Sequence, residues 1–174
     1  MSKLRTANLL GALAGEITDR IERQGKLHPN QTSSATAALN VIGFYEGCSN
    51  GALGRALGLS HTATVRLVDK LELAGLVHSE TGTDKRSVAL RLTDLGRDRA
   101  RSVIRERCLR LGDFIDALTP AQRRQLDEIA ETLLKSMVET AKDADHILCR
   151  DCDGTACPPR RCPVHQKAVE LESA

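Results

Sequence analysis

The sequence predicts a mainly α protein carrying a single small β-hairpin. Apolar residues recur at helical spacing over most of the 174 residues. Two short alternating segments, "LVHSE" and "SVALRLT", break that period once, just after Gly75. Residues that start or stop helices bracket the stretches between: Gly25, Gly47, Ser49, Ser60, Thr93 and Thr119.

The first helix is expected from about Ala7 to Gln24, with Leu10, Leu13, Ile17 and Ile21 on one face, ending near "GKLHPN". Lys3 and Arg5 followed by "ALA" imitate a signal-peptidase site. The apolar run is short, however, and passes into amphipathic spacing, so the expectation is a helix of a cytoplasmic protein. A second helix covers "SSATAALNVIGFYEG". Ser49 caps a short third one, "NGALGRALG", and Ser60 caps a fourth from His61 to about Ala74.

The two alternating segments then form a hairpin with "TGTDKR" at its tip. Thr93 caps a long helix through Leu118. Ile104, Cys108, Leu111, Ile115 and Leu118 share one stripe of it, which places Cys108 as a small core residue. "TPAQ" restarts the chain, with Thr119 as N-cap, Pro120 at the first helical position and Gln122 completing a capping box. The last long helix carries Leu126, Ile129, Leu133, Met137 and Ala141.

Composition excludes several functions. Phe44, Tyr45 and Phe114 are the aromatics and Trp is absent, too few for a base-stacking platform. No apolar run approaches the roughly 20 residues that span a bilayer. There is no Ser-His-Asp arrangement, phosphate loop or catalytic carboxylate pair, so no enzyme is expected. The net charge of +2 is modest, but Gly51 to Arg110 holds twelve Lys/Arg against seven Asp/Glu. The positive charge is concentrated there.

A helix–turn–helix followed directly by a hairpin is a winged helix, whose second helix can enter a DNA major groove. At 100° per residue, Thr64, Leu67, Val68 and Leu71 form the inward stripe of that helix. Thr62, Val65, Arg66 and Asp69 face the other way, with His61, Ala63 and Lys70 at the edges. Small, polar and basic residues let the backbone approach base edges. Ser60 and Thr62 suit phosphates, Val65 a thymine methyl, and Arg66 a guanine edge or a phosphate. Lys85 and Arg86 place charge at the wing tip, where a narrow minor groove attracts it, and Asp84 is placed to brace Arg86. The expected partner is double-stranded DNA.

At these residues the chain resembles the multiple-antibiotic-resistance regulator (MarR) family. "LGRALGLSHTATVRLVDKLELAGLV" is similar to the family's helix–turn–helix. "DKRSVALRLTDLG" is similar to its wing signature, through Asp84, Arg86, Leu92, Thr93 and Gly96. The resemblance implies a homodimer built from the first and last long helices, a palindromic operator, repression, and relief by a small effector or by oxidation. It divides the chain into an N-terminal dimerisation helix (1–30), a winged helix–turn–helix (31–93), a C-terminal helical dimerisation region (94–145) and a tail (146–174). Leu10, Leu13, Ile17, Leu133, Met137 and Val138 become candidates for the dimer core. His61-Thr62 stands where many members have Arg-Pro, so the operator is not transferable.

The tail, absent from the common family pattern, reads "CRDCDGTACPPRRCPVH". Cys149, Cys152, Cys157 and Cys162 have the spacing C-x2-C-x4-C-x4-C, and four thiolates can close a tetrahedral zinc site over a loop too small for its own core. An iron–sulfur cluster is the alternative. A third is a dithiol switch at Cys149 and Cys152. His146 and His165 flank the segment and are read as solvated. Cys48 stands where oxidation would disturb the helix–turn–helix. A thiol–disulfide oxidoreductase and an interaction module without DNA binding are the other function classes.

Overall fold

The computed structural model describes residues 2–25, 33–81, 88–140, 152–153 and 156–173. Helices α1 (Lys3–Gly25), α2 (Ser33–Phe44), α3 (Asn50–Leu57) and α4 (His61–Leu73) lead into strands β1 (Val77–Thr81) and β2 (Val88–Leu92). Helices α5 (Asp94–Ile115), α6 (Pro120–Ser136) and α7 (Pro163–Glu172) follow. The strands pair antiparallel, with Val77 opposite Leu92 and Thr81 opposite Val88. The mainly α class with one hairpin is thus the one the sequence predicts.

Local chemistry sets the boundaries. Ser49, Ser60, Thr93 and Thr119 each accept a hydrogen bond from a backbone N–H in the first turn of the following helix. Such a cap contributes about 1 kcal/mol. Thr119 and Gln122 form the full capping box, and Pro120 begins the helix behind it. Gly58, at φ +65°, ends α3 in the left-handed conformation that glycine adopts without penalty.

One core holds the winged unit together, and α2 is its centre. A helix apolar all round is driven into the interior. In α2, Ala35, Ala38, Leu39, Val41 and Ile42 are all buried. Its small alanines let neighbours approach from several sides, and α3, α4, α5 and β2 all pack on it. Leu53, Val68, Leu71, Val77, Leu90, Leu92 and Ala100 complete the cluster.

The hairpin is tied to this core at both ends. Gly47, at φ +84°, turns the chain so that its N–H donates to the Leu90 carbonyl at 2.9 Å. The Leu90 N–H donates to Cys48 at 2.9 Å, adding a short bridge beside β2. This pairing stops α2 at Phe44, short of the Gly47 end expected from the sequence. At the other end, Thr93 donates its hydroxyl to the Gly75 carbonyl (2.7 Å) while accepting from the Gly96 N–H (2.9 Å).

Other departures have the same origin in tertiary context. Helix α1 starts at Lys3, α5 ends at Ile115 and α6 at Ser136, while Ala141 lies outside the described residues. Cys108 is exposed, contrary to its expected place in the core. Only Gly96 and Ala100 of α5 are buried; beyond Ala100 the helix leaves the core, and Ile104, Leu111 and Ile115 of its apolar stripe are half-buried. The tail holds a helix that the metal-loop reading did not anticipate. Pro163 opens α7, which packs on α6 and buries Val164 and Ala168. Val138, a candidate for the dimer core, is already buried within the single chain.

Candidate nucleic-acid interface

The face of α4 is built by how closely α3 approaches it. A Cβ on Gly54 would lie 2.7 Å from the Thr64 hydroxyl and 3.3 Å from the Leu59 carbonyl, so α3 seats directly on α4. Thr64 is fully buried there and donates to the Ser60 carbonyl at 3.0 Å. With Val68 and Leu71 also buried and Leu67 packed against the core, the inward stripe is the expected one.

The opposite face is therefore turned outward. His61, Thr62, Arg66, Asp69 and Lys70 are exposed, and Ala63 and Val65 are half-buried between them. Ser60 uses its oxygen to accept from Ala63 N–H at 3.3 Å, which leaves its hydroxyl hydrogen free to donate. Side chains at the first turns of α4 sit around backbone N–H groups carrying the positive end of the helix dipole. Such a surface favours phosphate oxygens and hydrogen-bond acceptors on base edges. The wing-tip residues Asp84, Lys85 and Arg86 lie outside the described residues.

The base of the wing carries an ionic network that the sequence did not reveal. Arg91 on β2 bonds Glu80 on β1 at 2.7 Å and approaches Glu46, beyond α2, at 3.6 Å. Glu46 in turn bonds Arg97 of α5 at 2.8 Å, and Arg97 reaches Asp94 at 3.4 Å. His78 adds a contact to Glu80 at 3.1 Å. Arg91, then His78, hold the Glu80 carboxyl below the usual carboxylate range by hydrogen bonding to its charged form. These partners are exposed, so each contact contributes little alone. Together they fix the hairpin's angle to α5. The alternation of β1 and β2 places Glu80 and Arg91 on one face, but the link to Glu46 spans 45 residues and leaves no local signal.

The thiols divide into two kinds. Cys48 is half-buried beside the core, and burial pushes its thiol up, opposed by its own backbone hydrogen bond. That removes thiolate and makes it a poor redox sensor. In the tail, Cys152 and Cys157 are exposed and Cys162 is half-buried at the N-cap of α7. Partial desolvation, then Cys162 and Glu131, push the Cys157 thiol up. Cys149 lies outside the described residues, and among those described no three His, Cys, Asp or Glu side chains stand together as a metal would require. Further along the tail, Asn40, buried in α2, donates its amide to the Cys152 carbonyl at 3.2 Å. His165 is exposed, and His146 lies outside the described residues.

An open groove runs along α5, lined by Arg101, Ile104, Arg105, Cys108, Leu109, Gly112, Asp113 and Asp116 and closed by Asp153 of the tail. No described helix is long and apolar enough to cross a membrane.

Residues 32–87 match the model of the MarR family. The transcriptional repressor MprA of Escherichia coli strain K12 is 32% identical over 92 residues, 52% of this chain and 52% of that protein. The chain thus spans about half the length of the curated relatives it matches. Among solved structures, a MarR family protein from Bacillus stearothermophilus has a TM-score of 0.67 at 23% identity, covering 79% of this chain and 99% of its own. Streptococcus pneumoniae FabT, solved in complex with DNA, has a TM-score of 0.64 at 17% identity, over 76% of this chain and 94% of its own. The chain has the winged-helix fold of these MarR-family structures, and the stretch matching the family model holds α2, the helix–turn–helix and the first strand of the wing.

Proposed function

We propose that the chain is a sequence-specific DNA-binding transcriptional regulator, a repressor acting as a homodimer on a palindromic operator in the cytoplasm. The observation that carries this is α4. Its bulky side chains are buried, and Ser60, His61, Thr62, Ala63, Val65, Arg66 and Lys70 are presented outward or at the edge. Phosphate contacts supply most of the affinity, with Lys85 and Arg86 adding theirs from the wing.

The dimer reading rests on uncovered apolar surface. Leu10 and Leu13 of α1, and Ile129 and Met137 at or just beyond α6, are roughly half exposed in the single chain. Burying such a side chain stabilises by about 1.5–3 kcal/mol, which a second copy can supply. The α5 groove, with apolar side chains beside two arginines and three aspartates, suits a small amphipathic effector.

Zinc on Cys149, Cys152, Cys157 and Cys162 is the tail reading within this proposal, resting on the spacing of the four cysteines. Elemental analysis of the anaerobically purified protein tests it. One zinc per chain supports it, whereas iron with visible absorption replaces it by the cluster.

DNA binding is tested by titrating the protein against the promoter region of its own gene at several salt concentrations. Affinity should fall steeply with salt, and Arg66→Ala should weaken binding about tenfold, within the range for a lost base or phosphate contact. Absent or salt-insensitive binding would replace the regulator by an interaction module.

A further inference from the structure

We propose that the tail is a strap across the α5 groove of its own chain, fastened by Asn40 of α2 and closing the groove with Asp153, and that a ligand of the groove must displace it. Three observations carry the strap. First, the groove owes its closure to the tail. Every other residue that lines it belongs to α5 or is its C-cap, Asp116, so without Asp153 it is one open face of a helix. A Cβ on Gly112 would meet nothing within 4 Å, so the missing side chain there gives the groove its depth.

Second, the strap is fastened to the head. Asn40 is 5% exposed among the apolar side chains of α2, where an unpaired amide is costly. It donates to the Cys152 carbonyl at 3.2 Å, immediately before Asp153 in the chain. Third, the strap is fastened on its other side. The Asp153 carbonyl accepts from the N–H groups of Ala156 (3.2 Å) and Cys157 (3.0 Å), which turns the chain directly after the wall residue. Beyond that turn, α7 packs on α6 and buries Val164 and Ala168. Asp153 is thus held between a hydrogen bond to α2 and a helix seated on α6.

The strap also changes what the groove offers. On the α5 side, Arg101 and Arg105 balance Asp113 and Asp116, and Asp153 adds a third carboxylate. A small amphipathic molecule resting on Ile104 and Leu109 meets the strap both as a wall and as a charge. One hydrogen bond of ordinary net strength fastens the strap to the head, so it opens without unfolding the winged unit. Ligand and strap therefore exclude each other. Displacing the strap takes the Cys152 carbonyl from Asn40, on the helix against which α3, α4 and β2 pack. The ligand half of this proposal rests on the effector reading above; the strap does not.

Cys108 lines the groove and reports on it in place. The reduced full-length chain is labelled under native conditions with a bulky fluorescein maleimide or with the small reagent iodoacetamide. Digestion after glutamate isolates residues 107–128, in which Cys108 is the single cysteine, for mass spectrometry. Asn40→Ala removes the fastening and Asp153→Ala the wall. Each should speed maleimide labelling of Cys108 about fivefold, the shift expected when one ordinary hydrogen bond is lost. Iodoacetamide labelling should change little, and an equal rise with it reports altered thiol reactivity and overturns the closure. Half-buried Cys48 monitors the core. If it too speeds up in Asn40→Ala, Asp153→Ala, which alters a tail residue outside the core, decides. An unchanged maleimide rate in Asp153→Ala overturns the strap. For the ligand half, the probe is anilinonaphthalene sulfonate, followed by fluorescence. Its affinity should rise about fivefold in Asp153→Ala, and adding Gly112→Leu, which fills the groove, should abolish the rise. Equal affinity in wild type and Asp153→Ala, with Cys108 freed by the same change, overturns the effector reading and leaves the strap standing.

Discussion

A methyl group on Gly96 would lie 1.9 Å from the carbonyl oxygen of Leu76. The first turn of α5 therefore rests directly on the backbone that leads into β1, and nothing larger than hydrogen fits between. Gly96→Ala must push the helix off the wing, at a cost of about 2–3 kcal/mol for forced overpacking. Gly51→Ala, inside α3 with only ordinary contacts at 3.7 Å, should stabilise by about 0.5 kcal/mol. Urea unfolding of both variants checks the pair. A Gly96→Ala midpoint equal to wild type would sink the argument.

Acid should loosen the wing through Glu80. Arg91 and His78 keep its carboxyl below the ordinary 4.5 in the folded chain. A depressed folded value means that the contribution is present above the unfolded value and lost as pH falls through the folded one. Glu80→Gln should therefore flatten the decline of stability below pH 4.5, with little change at neutral pH. Thermal melts at stepped pH read this directly. Parallel curves for the variant and wild type would remove Glu80 from the account.

Self-association should depend on the apolar face of α1. Leu13 is 48% exposed within the chain, so Leu13→Arg leaves the intramolecular core intact and places charge where a second copy would pack. Sedimentation should show wild-type dimers and variant monomers, with helical circular dichroism unchanged. A dimeric variant would move the interface elsewhere.

Alkylation should sort the cysteines by environment. Exposed Cys108 and Cys152 should react before Cys48, whose thiol is raised by burial beside the core. Cys48 should label on local opening. Time-resolved mass spectrometry under native conditions gives the order, and early modification of Cys48 would contradict its placement.

The parts legible in the sequence are those fixed by short-range chemistry. Ser60 and Thr93 declare helix starts because a hydroxyl meets an N–H three residues on, and Thr64, Val68 and Leu71 declare a face because the helix repeats. Periodicity marks a face as apolar but not which element covers it. Periodicity therefore predicts a core place for Cys108, which is exposed, and an interface place for Val138, which the single chain already buries. Helix α7 is not legible in the tail sequence, because Val164 and Ala168 gain their meaning only from packing on α6. The Arg91 network and the contact between Asn40 and Cys152 join positions far apart in the chain, 112 residues apart in the second case. No pattern in a single sequence encodes such a pairing.

The seat of Gly96 on Leu76 also has a mechanical consequence. With Thr93 bonded to Gly75, Leu90 bonded to both Gly47 and Cys48, and Arg91 bridging Glu80 to Glu46, the joints between hairpin, α2 and α5 are clamped. The head then behaves as one stiff rotor on the shaft of α5. A signal that alters where α4 points has little slack to spend inside the head. It must arrive as rotation of the shaft or as a pull on α2, and it reaches α4 nearly undamped.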